Sequence, residues 1–374
     1  MEKRKHIVID ARIRRSSTGR YIDRLVEHLQ KIDTFHRYTI LVQPDDPFKP
    51  TAKNFTAVAC PFPKFSANPI NDLRLAWQLY RLKPDLVHFD LSQMPVSYFG
   101  KCVCMSHDTT MYRFVRRGST PLPLYRLKMA LYMFLVWQTH TKASKILVPT
   151  QTVANEFAER QPFTLNKLVV TLEASEPAFA DKAVRPMGLQ QNEKFIMYVG
   201  TAFPHKNLPG LIRGFNELHK NDPALKLVLV GKHEKHYREL IDWAAKQPSY
   251  KNIIFTGFVT DAELKWLYEH CQAYVFASLS EGFGLPPLEA MTHGAPVVSS
   301  NASVMPEVNG DAAYYFTPTD PKDMARAVQE VLEDPALRKL LIKNGYAHLK
   351  KFSWGKMAAE TLTVYKDVLE EVTT

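Results

Sequence analysis

Short apolar runs alternate with longer segments of helical periodicity along this 374-residue chain, and that alternation limits the possible folds more than any other feature. Parallel strands need crossover connections, usually helices, so the alternation predicts parallel sheets covered by helices. We predict five strands in each half. They fall at residues 7–9, 38–42, 86–89, 102–105 and 146–148, and at 195–199, 225–230, 253–255, 273–276 and 296–299.

A break in this alternation at residues 173–191 predicts a hinge between two domains. The segment contains Pro177, Pro186 and Gly188 and has little periodicity. The chain length also suits two domains. We therefore expect an α/β protein with one doubly wound, Rossmann-like domain over residues 1–178 and a second over residues 192–354. A closing helix over residues 355–374 is expected to pack back across the hinge.

The strongest indication of a binding site is segment 281–289, which reads Glu-Gly-Phe-Gly-Leu-Pro-Pro-Leu-Glu. It follows a predicted strand, and open parallel sheets bind ligands at the carboxyl ends of their strands. Glycines let the backbone approach a ligand, and amides at a helix start can receive a diphosphate. The plain alternative is a strand–loop–helix connection with two solvated acids. The residues expected at the ligand are Glu281, Gly282, Phe283, Gly284, Leu285 and Glu289.

This segment resembles the E-x7-E signature of the retaining glycosyltransferases of family 4, which have the GT-B architecture. Residues 198–207, 230–231, 255–259, 305–308 and 310–313 resemble further segments of that family in the same order. The resemblance implies two Rossmann-like domains facing each other across a cleft. It also implies that a sugar moves from a nucleoside-diphosphate sugar to an acceptor with retention of configuration. GDP-mannose is the favoured donor, since similar members mostly use it or related donors.

The resemblance also assigns roles in the second domain. Lys206 would stabilise the leaving diphosphate, since a cation just past a strand end can meet charge that develops in a cleft. Gly200 would belong to the phosphate-binding loop, and the backbone at Val259 would contact the base. Glu281 would hold hydroxyls of the transferred sugar, and Glu289 would hold the ribose.

The phosphate loop departs from the family pattern at two positions. Many relatives carry Arg directly after the glycine that matches Gly200 or directly before the lysine, where this chain has Thr201 and His205. Protonated His205 and Arg213 are the candidates to replace that cation. The departure bears on rate and donor choice more than on reaction class.

In the first domain, a predicted strand ends in His107 and Asp108. The pair resembles the family's histidine at the cleft, so His107 is expected to contact the transferred sugar and assist the acceptor. Asp108 is expected to orient the imidazole or to cap the next turn. Gly19, before a predicted helix, resembles the family's glycine that approaches the donor phosphates. Capping and core packing are the alternative roles for its neighbours Arg20 and Tyr21.

The net charge of +10 lies in the first half of the chain, where residues 1–180 carry 26 Lys and Arg against 15 Asp and Glu. A phosphorylated substrate, an anionic membrane or nucleic acid would fit that charge. No nucleic-acid motif accompanies it, so no nucleic-acid partner is expected. Residues 111–145 are either an amphipathic segment on an anionic membrane or a long core helix after a basic loop. The basic residues of this segment are Arg113, Arg116, Arg117, Arg126 and Lys128.

Two further expectations concern metals and compartment. The chain has no Asp-x-Asp pair, so we expect the donor to be held without a metal and no cofactor besides that donor. Its four cysteines form no disulfide or metal-ligand pattern, which favours a reducing, cytoplasmic setting. Peripheral contact at the inner face of the cell membrane, through the basic first domain, is left open.

Together these features predict a retaining mannosyltransferase-like enzyme of cell-surface polysaccharide or glycoconjugate synthesis. Its acceptor would be a glycan or a polyprenyl-linked sugar. The alternatives are a GT-B binding scaffold with impaired catalysis, or another GT-B enzyme such as a sugar-nucleotide epimerase or a phosphorylase.

Overall fold

A computed structural model describes residues 3–16, 18–63, 68–115, 120–176, 182–190 and 192–370. The chain divides into two compact units. The first unit comprises Met1–Asp108, Arg117–Glu173 and Ser353–Thr374, and the second comprises Thr109–Arg116 and Ala174–Phe352. Residues 177–181 and Gln191 of the predicted hinge lie outside the described residues.

The first unit contains a seven-stranded sheet in which every neighbouring pair is parallel. The spatial order is β3-β2-β1-β4-β5-β6-β7, so the chain builds outward from β1 in one direction and then, from β4, in the other. The strands are β1 (His6–Asp10), β2 (Arg37–Val42), β3 (Phe55–Ala59), β4 (Leu86–Phe89), β5 (Cys102–Met105), β6 (Lys145–Val148) and β7 (Leu168–Val170).

Helices connect and cover these strands. They are α1 (Arg20–Ile32), α2 (Pro69–Leu82), α3 (Thr110–Arg113), α4 (Leu122–Lys142), α5 (Gln151–Arg160) and, at the far end of the chain, α13 (Trp354–Glu370). The α3 helix is grouped with the second unit. Helices α1 and α13 pack against each other within the first unit.

The second unit contains a six-stranded parallel sheet of order β10-β9-β8-β11-β12-β13. Its strands are β8 (Phe195–Val199), β9 (Lys226–Val230), β10 (Ile253–Gly257), β11 (Ala273–Phe276), β12 (Val297–Ser300) and β13 (Ala313–Phe316). Its helices are α6 (Leu208–Asn221), α7 (Lys235–Ala244), α8 (Asp261–His270), α9 (Leu285–Thr292), α10 (Met305–Asn309), α11 (Pro321–Glu333) and α12 (Pro335–Leu349).

Side-chain caps fix several of these helix starts. The Asp320 carboxylate accepts the backbone N–H groups of Lys322 and Asp323 at the start of α11. Thr260 and Glu263 form a reciprocal capping box at the start of α8. Such caps provide acceptors for backbone N–H groups that have no partner within the helix. They therefore fix the residue at which each helix begins.

The predicted pair of doubly wound parallel-sheet units is confirmed. In each sheet the strand order reverses direction once, between β1 and β4 in the first unit and between β8 and β11 in the second. The loops after these strands leave the sheet on opposite sides, which opens a crevice at the carboxyl ends.

The interpretation of α4 as a long core helix is wrong. No residue from Leu122 to Leu135 is buried, and buried positions begin only at Val136. Arg116 and Arg117 of the basic loop before it lie outside the described residues. Among the helices that the structure describes, none combines the length and the apolar character that a bilayer crossing requires.

Candidate functional site

The carboxyl end of β8 carries the predicted phosphate loop. After Gly200 the chain forms a short helical turn over Pro204–Lys206, and Asn207 closes it in the left-handed region, with φ 55°. The Asn207 side-chain amide donates to the backbone oxygens of Ala277 (3.2 Å) and Pro318 (2.8 Å). These bonds fix the loop after β8 against the loops after β11 and β13.

Lys206 and Glu281 meet where the two loops join. The Lys206 Nζ donates to the Glu281 Oε1 at 2.6 Å, and both side chains are mostly buried, with 16% and 11% of their surface exposed. A charge-assisted bond of this length, largely shielded from water, is stronger than a surface ion pair. The predicted catalytic lysine and the first glutamate of the signature are therefore direct partners.

The backbone around Glu281 is also fixed. The Glu281 N–H donates to the Ser303 Oγ at 3.4 Å, and that hydroxyl donates to the Glu281 carbonyl at 3.3 Å. Ser303 itself adopts a left-handed conformation, with φ 56°. The loop before α10 therefore holds the loop that bears the carboxylate.

Gly284 makes the turn into α9. Its φ of 91° favours glycine, and a Cβ atom at this position would lie 2.4 Å from the Met305 Cε. No side chain caps the helix start. Pro286 and Pro287 have no N–H, so among residues 285–288 only Leu285 and Leu288 offer amides to a phosphate. This halves the donor set that the sequence led us to expect.

Two further signature residues, Phe283 and Glu289, are buried, whereas Gly282 and Leu285 are half-buried. The Phe283 ring packs edge-on against Phe352 at a centroid distance of 5.7 Å, which leaves its backbone as the part that can meet a ligand. Glu289 lies one turn into α9 and is buried. Its charge acts on Tyr274, the pKa of which is raised well above the usual value, first by burial.

The remaining predicted donor residues lie at the same edge of the second sheet. Gly200 donates its N–H to the Val230 carbonyl and has a φ of 147°. His205 is buried, and its ring stacks with Phe203 at 6.0 Å. Val259 is half-buried and follows the end of β10, two strands from β8.

His107 is the centre of the candidate site in the first unit. Its Nε2 lies 3.6 Å from the Asp90 Oδ1 and donates to the Asp90 carbonyl at 3.0 Å. Its Nδ1 lies 3.6 Å from the Glu173 Oε1. Burial disfavours the imidazolium, but the attraction of the two carboxylates outweighs it and raises the pKa of His107 to about 10. The imidazole is therefore a cation at neutral pH.

Sequence reasoning missed Asp90 and Glu173. Asp90 follows β4 directly, and the strand order places the end of β4 beside the ends of β1 and β5, so its position was a usable signal. Both Asp90 carboxylate oxygens are buried without a hydrogen-bond partner in the part of the chain that the structure describes. Burial raises the pKa of Asp90 to about 7. No local sequence feature identifies Glu173 as a site residue.

Asp108 and Gly19, two further predicted site residues of the first unit, lie at or next to helix starts. The turn of helix after Asp108 begins at Thr110 and has Thr109 as its N-cap residue, so Asp108 precedes the cap position. Gly19 is the N-cap residue of α1, where a Cβ atom would lie 2.3 Å from the Ile13 carbonyl. The buried Tyr21, two residues on, meets the His107 ring edge-on at 5.5 Å.

A second buried pair beside this cluster was also missed. Arg12 forms two parallel bonds with Asp10, Nε to Oδ1 at 2.7 Å and Nη2 to Oδ2 at 2.6 Å. Its Nη1 donates to the carbonyls of Phe62 and Pro63. The pair fixes the loop after β1. Across the described residues, no group of three or more His, Cys, Asp or Glu could hold a metal ion.

Chemically, the second unit offers a lysine–glutamate pair with helix amides at a sheet crevice. The first offers a buried cation between two carboxylates. The former suits binding of phosphate and sugar hydroxyls, and the latter suits donation of hydrogen bonds rather than acceptance of a proton.

Two family models match consecutive parts of the chain. The model described as Glycosyltransferase Family 4 matches residues 18–171, and the model described as Glycosyl transferases group 1 matches residues 180–348.

Relatives are similar over part of the chain. O-antigen chain mannosyltransferase B of Escherichia coli is 32% identical over 174 residues, which are 46% of this chain and 45% of that protein. The serotype-specific mannosyltransferase WbdA of Escherichia coli is 34% identical over 230 residues, 58% of this chain and 28% of that protein. The chain thus spans about half of the first relative and less than a third of the second.

Solved structures share the fold over the whole chain. A sucrose-phosphate synthase from Thermosynechococcus elongatus superposes with a TM-score of 0.76 at 15% identity, and the match covers 99% of this chain and 100% of that one. At that identity the likeness concerns the fold alone.

Proposed function

We propose, on the premise that this chain belongs to the family 4-like glycosyltransferases with the GT-B fold, that it transfers a sugar from a nucleoside-diphosphate sugar to a glycan acceptor with retention of configuration. The observation that carries the proposal is the 2.6 Å contact between Lys206 and Glu281 at the carboxyl ends of β8 and β11. Open α/β sheets bind ligands at this place, in the crevice outside the carboxyl ends of the strands.

In this proposal the second unit binds the donor. The Lys206 ammonium and the amides of Leu285 and Leu288 meet the diphosphate, and the glycines on either side of Phe283 give it access to the backbone. Glu289 holds the ribose hydroxyls, and the backbone at Val259 meets the base. Gly200, in the loop after β8, and the buried His205 line the part of the donor site that holds the phosphates. No metal takes part, and the donor is the only small molecule required.

Glu281 positions the sugar and does not attack it. Its carboxylate is already bonded to an ammonium, which reduces its nucleophilicity and leaves its second oxygen for sugar hydroxyls. The diphosphate departs as Lys206 stabilises its charge, and the acceptor hydroxyl attacks the oxocarbenium-like sugar from the same face. A trapped glycosyl adduct on Glu281 would contradict this step.

The first unit serves the acceptor. Because His107 is a cation at neutral pH and its Nε2–H is held by the Asp90 carbonyl, its Nδ1–H donates a hydrogen bond to a sugar or acceptor oxygen, and the ring does not take the acceptor proton. That proton leaves with the departing diphosphate, whose oxygen gains negative charge as the glycosidic bond breaks. We assign Asp108 and Gly19, the N-cap residue of α1, to the same acceptor site of the first unit.

The donor and acceptor classes follow from the named relatives. Both are mannosyltransferases, and one is named for the O-antigen chain, so GDP-mannose and a growing cell-surface glycan are the substrates we propose. A polyprenyl-linked acceptor would place the enzyme at the cytoplasmic face of a membrane. The basic first half of the chain fits peripheral contact with an anionic surface.

The test is a thermal-shift screen of the purified chain against GDP, UDP, dTDP, ADP, CMP and their sugar conjugates, with EDTA present. A ligand at 100 times its dissociation constant stabilises the native state by about 2.7 kcal/mol. We expect GDP-mannose to raise the melting temperature. The shift should vanish in Lys206→Ala and Glu289→Ala and persist in Lys220→Ala, which removes an exposed lysine of α6.

Sugar transfer is then measured by the release of GDP, and NMR determines the anomeric configuration of the product. A shift with another nucleotide would keep the reaction class and change the donor. No shift with any nucleotide would contradict the proposal and favour a scaffold without catalysis. Inverted product would contradict the mechanism.

A further inference from the structure

We infer that Ser92 binds a hydroxyl group of the acceptor, and that a buried relay of Ser106, His140 and Gln161 holds the Ser92 oxygen as a hydrogen-bond acceptor. The inference rests on the proposed function and deepens it, because it names a residue and a chemical group for acceptor binding. None of these four residues has a role in the site described above.

Three short hydrogen bonds join the four side chains in a row. The Ser92 Oγ lies 2.6 Å from the Ser106 Oγ, and the Ser106 Oγ lies 2.8 Å from the His140 Nε2. The His140 Nδ1 lies 2.8 Å from the Gln161 Oε1. Ser106 and His140 are buried, whereas Ser92 is half-buried. The row thus leads from a buried imidazole to a side chain that remains partly open to solvent.

Each member of the relay comes from a different part of the first unit. Ser92 lies in the loop after β4, and Ser106 directly follows β5. His140 lies in the last turn of α4, and Gln161 directly follows α5. The Phe157 ring packs edge-on against the His140 ring at a centroid distance of 5.0 Å. The imidazole is therefore held in one orientation by packing and by its two hydrogen bonds.

The imidazole of His140 is neutral at pH 7. Burial lowers the pKa of His140 to about 4, and the hydrogen bond with Gln161 offsets only part of this effect. The Lys167 ammonium, which donates to the His140 carbonyl at 3.2 Å, adds repulsion against a second cation. A neutral imidazole carries one ring proton, so its two nitrogens have opposite roles in hydrogen bonding.

Gln161 determines which nitrogen carries that proton. Its Oε1 is only an acceptor, so the His140 Nδ1 carries the proton and donates it. The His140 Nε2 is then an acceptor, and Ser106 donates its single hydroxyl proton to it. The 2.6 Å contact between the serines still needs a proton, and Ser92 supplies it, since its other acceptor, the Met105 carbonyl, lies farther away at 3.5 Å. Both hydroxyl protons therefore point toward the imidazole.

The direction of the relay limits what Ser92 can bind. Its oxygen has a free lone pair, but its proton is already committed to Ser106. A group that donates a hydrogen bond can bind there, whereas an ionised phosphate or carboxylate has no proton to give. Ser92 therefore selects a sugar hydroxyl of the acceptor and does not bind the phosphate of a lipid carrier.

The loop that carries Ser92 borders the candidate acceptor site. Two residues earlier, the Asp90 carbonyl accepts the Nε2–H of His107 at 3.0 Å. Leu91 and Gln93, the neighbours of Ser92, line a small cavity together with Asp90. The strand order reverses beside β4, and open sheets bind ligands at such a place. Ser92 thus lies where it can meet a hydroxyl of the molecule that His107 serves.

The first test determines the direction of the relay without any substrate. Nitrogen-15 NMR of the histidine side chains distinguishes protonated from unprotonated ring nitrogens. We expect His140 to carry a proton on Nδ1 alone at pH 7. Gln161→Glu places a carboxylate beside Nδ1 and should protonate both nitrogens, because an adjacent negative charge favours the imidazolium. The His140 signals are those that move in Gln161→Glu and stay in place in Gln151→Glu, a matched change at an exposed position of α5.

The second test is transfer from GDP-mannose to a synthetic α-mannobioside, with initial rates measured over a range of acceptor concentrations. Ser92→Ala removes the accepting oxygen and should raise the KM for the mannobioside about 2–10-fold. Hydrolysis of GDP-mannose by water should be unchanged. Gln161→Glu should raise the same KM, because a charged imidazole reverses both serine protons and makes Ser92 a donor. A serine with a purely structural role would not respond to that reversal.

A second matched control concerns the loss of a hydroxyl. Ser97→Ala removes a half-buried serine hydroxyl that lies in the same loop and bonds Asp72. It should leave the KM for the mannobioside as in the unchanged chain, and so should Gln151→Glu. Melting temperatures should show that all four variants are folded.

Three results would overturn the inference. The first is a His140 proton on Nε2 alone in the unchanged chain at pH 7. The second is an unaltered KM in Ser92→Ala or in Gln161→Glu. The third is an unchanged chain that binds GDP-mannose but transfers nothing to the mannobioside. Absence of donor binding would instead contradict the transferase proposal, and with it the ligand of Ser92, whereas the direction of the relay would still be known from NMR.

Discussion

His107 and Lys206 are both cations held against carboxylates where little water reaches them. In such places a charge is retained only because its partner is fixed, and the pair costs more to break than a surface pair. For His107 the partners are Asp90 and Glu173, from distant parts of the chain. The charge of His107 is therefore set by tertiary structure and is open to test by pH.

The pH dependence of stability follows from the raised pKa of His107. A histidine with a pKa of about 10 in the folded state and about 6.5 when unfolded stabilises the fold fully below pH 6.5, and this contribution is lost as pH rises toward 10. Over that window the group lowers the unfolding free energy by up to about 1.4 kcal/mol per pH unit. Urea unfolding at a series of pH values measures this slope.

His107→Gln should flatten the slope by about that amount between pH 7 and 10. His233→Gln, at an exposed position of the second unit, controls for loss of a histidine. Equal slopes in the unchanged chain and in His107→Gln would show that His107 does not hold its proton as described.

The entry into α9 is the element on which the donor site depends. The turn requires a left-handed residue at Gly284, and Met305 fills the space where a side chain would begin. The two prolines that follow set the helical conformation but remove two amides. This one turn thus fixes both where Glu281 lies and how few N–H groups remain for phosphate.

Gly284→Ala tests that turn, and Gly188→Ala is its matched control. Both glycines have φ near 90°, but a Cβ atom at Gly188 has no atom within 4 Å in the described structure, whereas at Gly284 it meets Met305. Backbone strain should cost about 1 kcal/mol in each variant. Contact with Met305 should cost Gly284→Ala about 1–2 kcal/mol more.

Urea unfolding midpoints measure the loss of stability in each variant. Because both variants carry the backbone strain, the difference between the two losses reports the contact with Met305 alone. Equal losses would mean that Met305 moves aside freely, and the turn would then be fixed by backbone conformation alone.

Whether a strand or helix could be predicted from the sequence depends on how its residues are buried. The ten predicted strands were all found because each is a short apolar run. Three strands were missed: β3, with its partly exposed edge position, the three-residue β7, and the edge strand β13, which is only partly buried. Segment 281–289 placed Glu281 and Glu289 at a strand end from local features alone. The partners of His107 could not be found in this way, because Asp90 and Glu173 meet it only through strand order. The exposure of α4 was missed because its apolar residues surround the helix.

At the scale of the whole molecule, the first unit is discontinuous along the chain. Helix α13 returns to it after the second unit and packs against α1. The Tyr365 hydroxyl and the His88 Nδ1 form a buried hydrogen bond, and Lys101 donates to the Val368 carbonyl at 2.7 Å. Burial lowers the pKa of His88 to about 3, so this histidine is neutral.

Removal of the chain after Phe352 should therefore unfold the first unit and spare the second. The truncation uncovers the buried face of α1 and leaves His88 without its partner, whereas the second sheet loses none of its strands. Limited proteolysis with mass spectrometry should show cuts throughout residues 3–170 and protection of residues 195–349.

Tyr365→Phe is the mild counterpart of that truncation. It removes one buried hydrogen bond and should cost about 1–2 kcal/mol without loss of the fold. Protection of both units in the truncated chain would show that α13 is dispensable for the first unit.

The return of α13 also sets an order for synthesis on the ribosome. The first unit begins first, but it stays incomplete until the helix after residue 353 has been made, whereas residues 174–352 can close their own sheet earlier. At about 5–20 residues per second, about 10–40 s separate Glu173 from Glu370. During that interval the apolar face of α1 is uncovered on the nascent chain, which makes it the surface that a ribosome-associated chaperone would meet first.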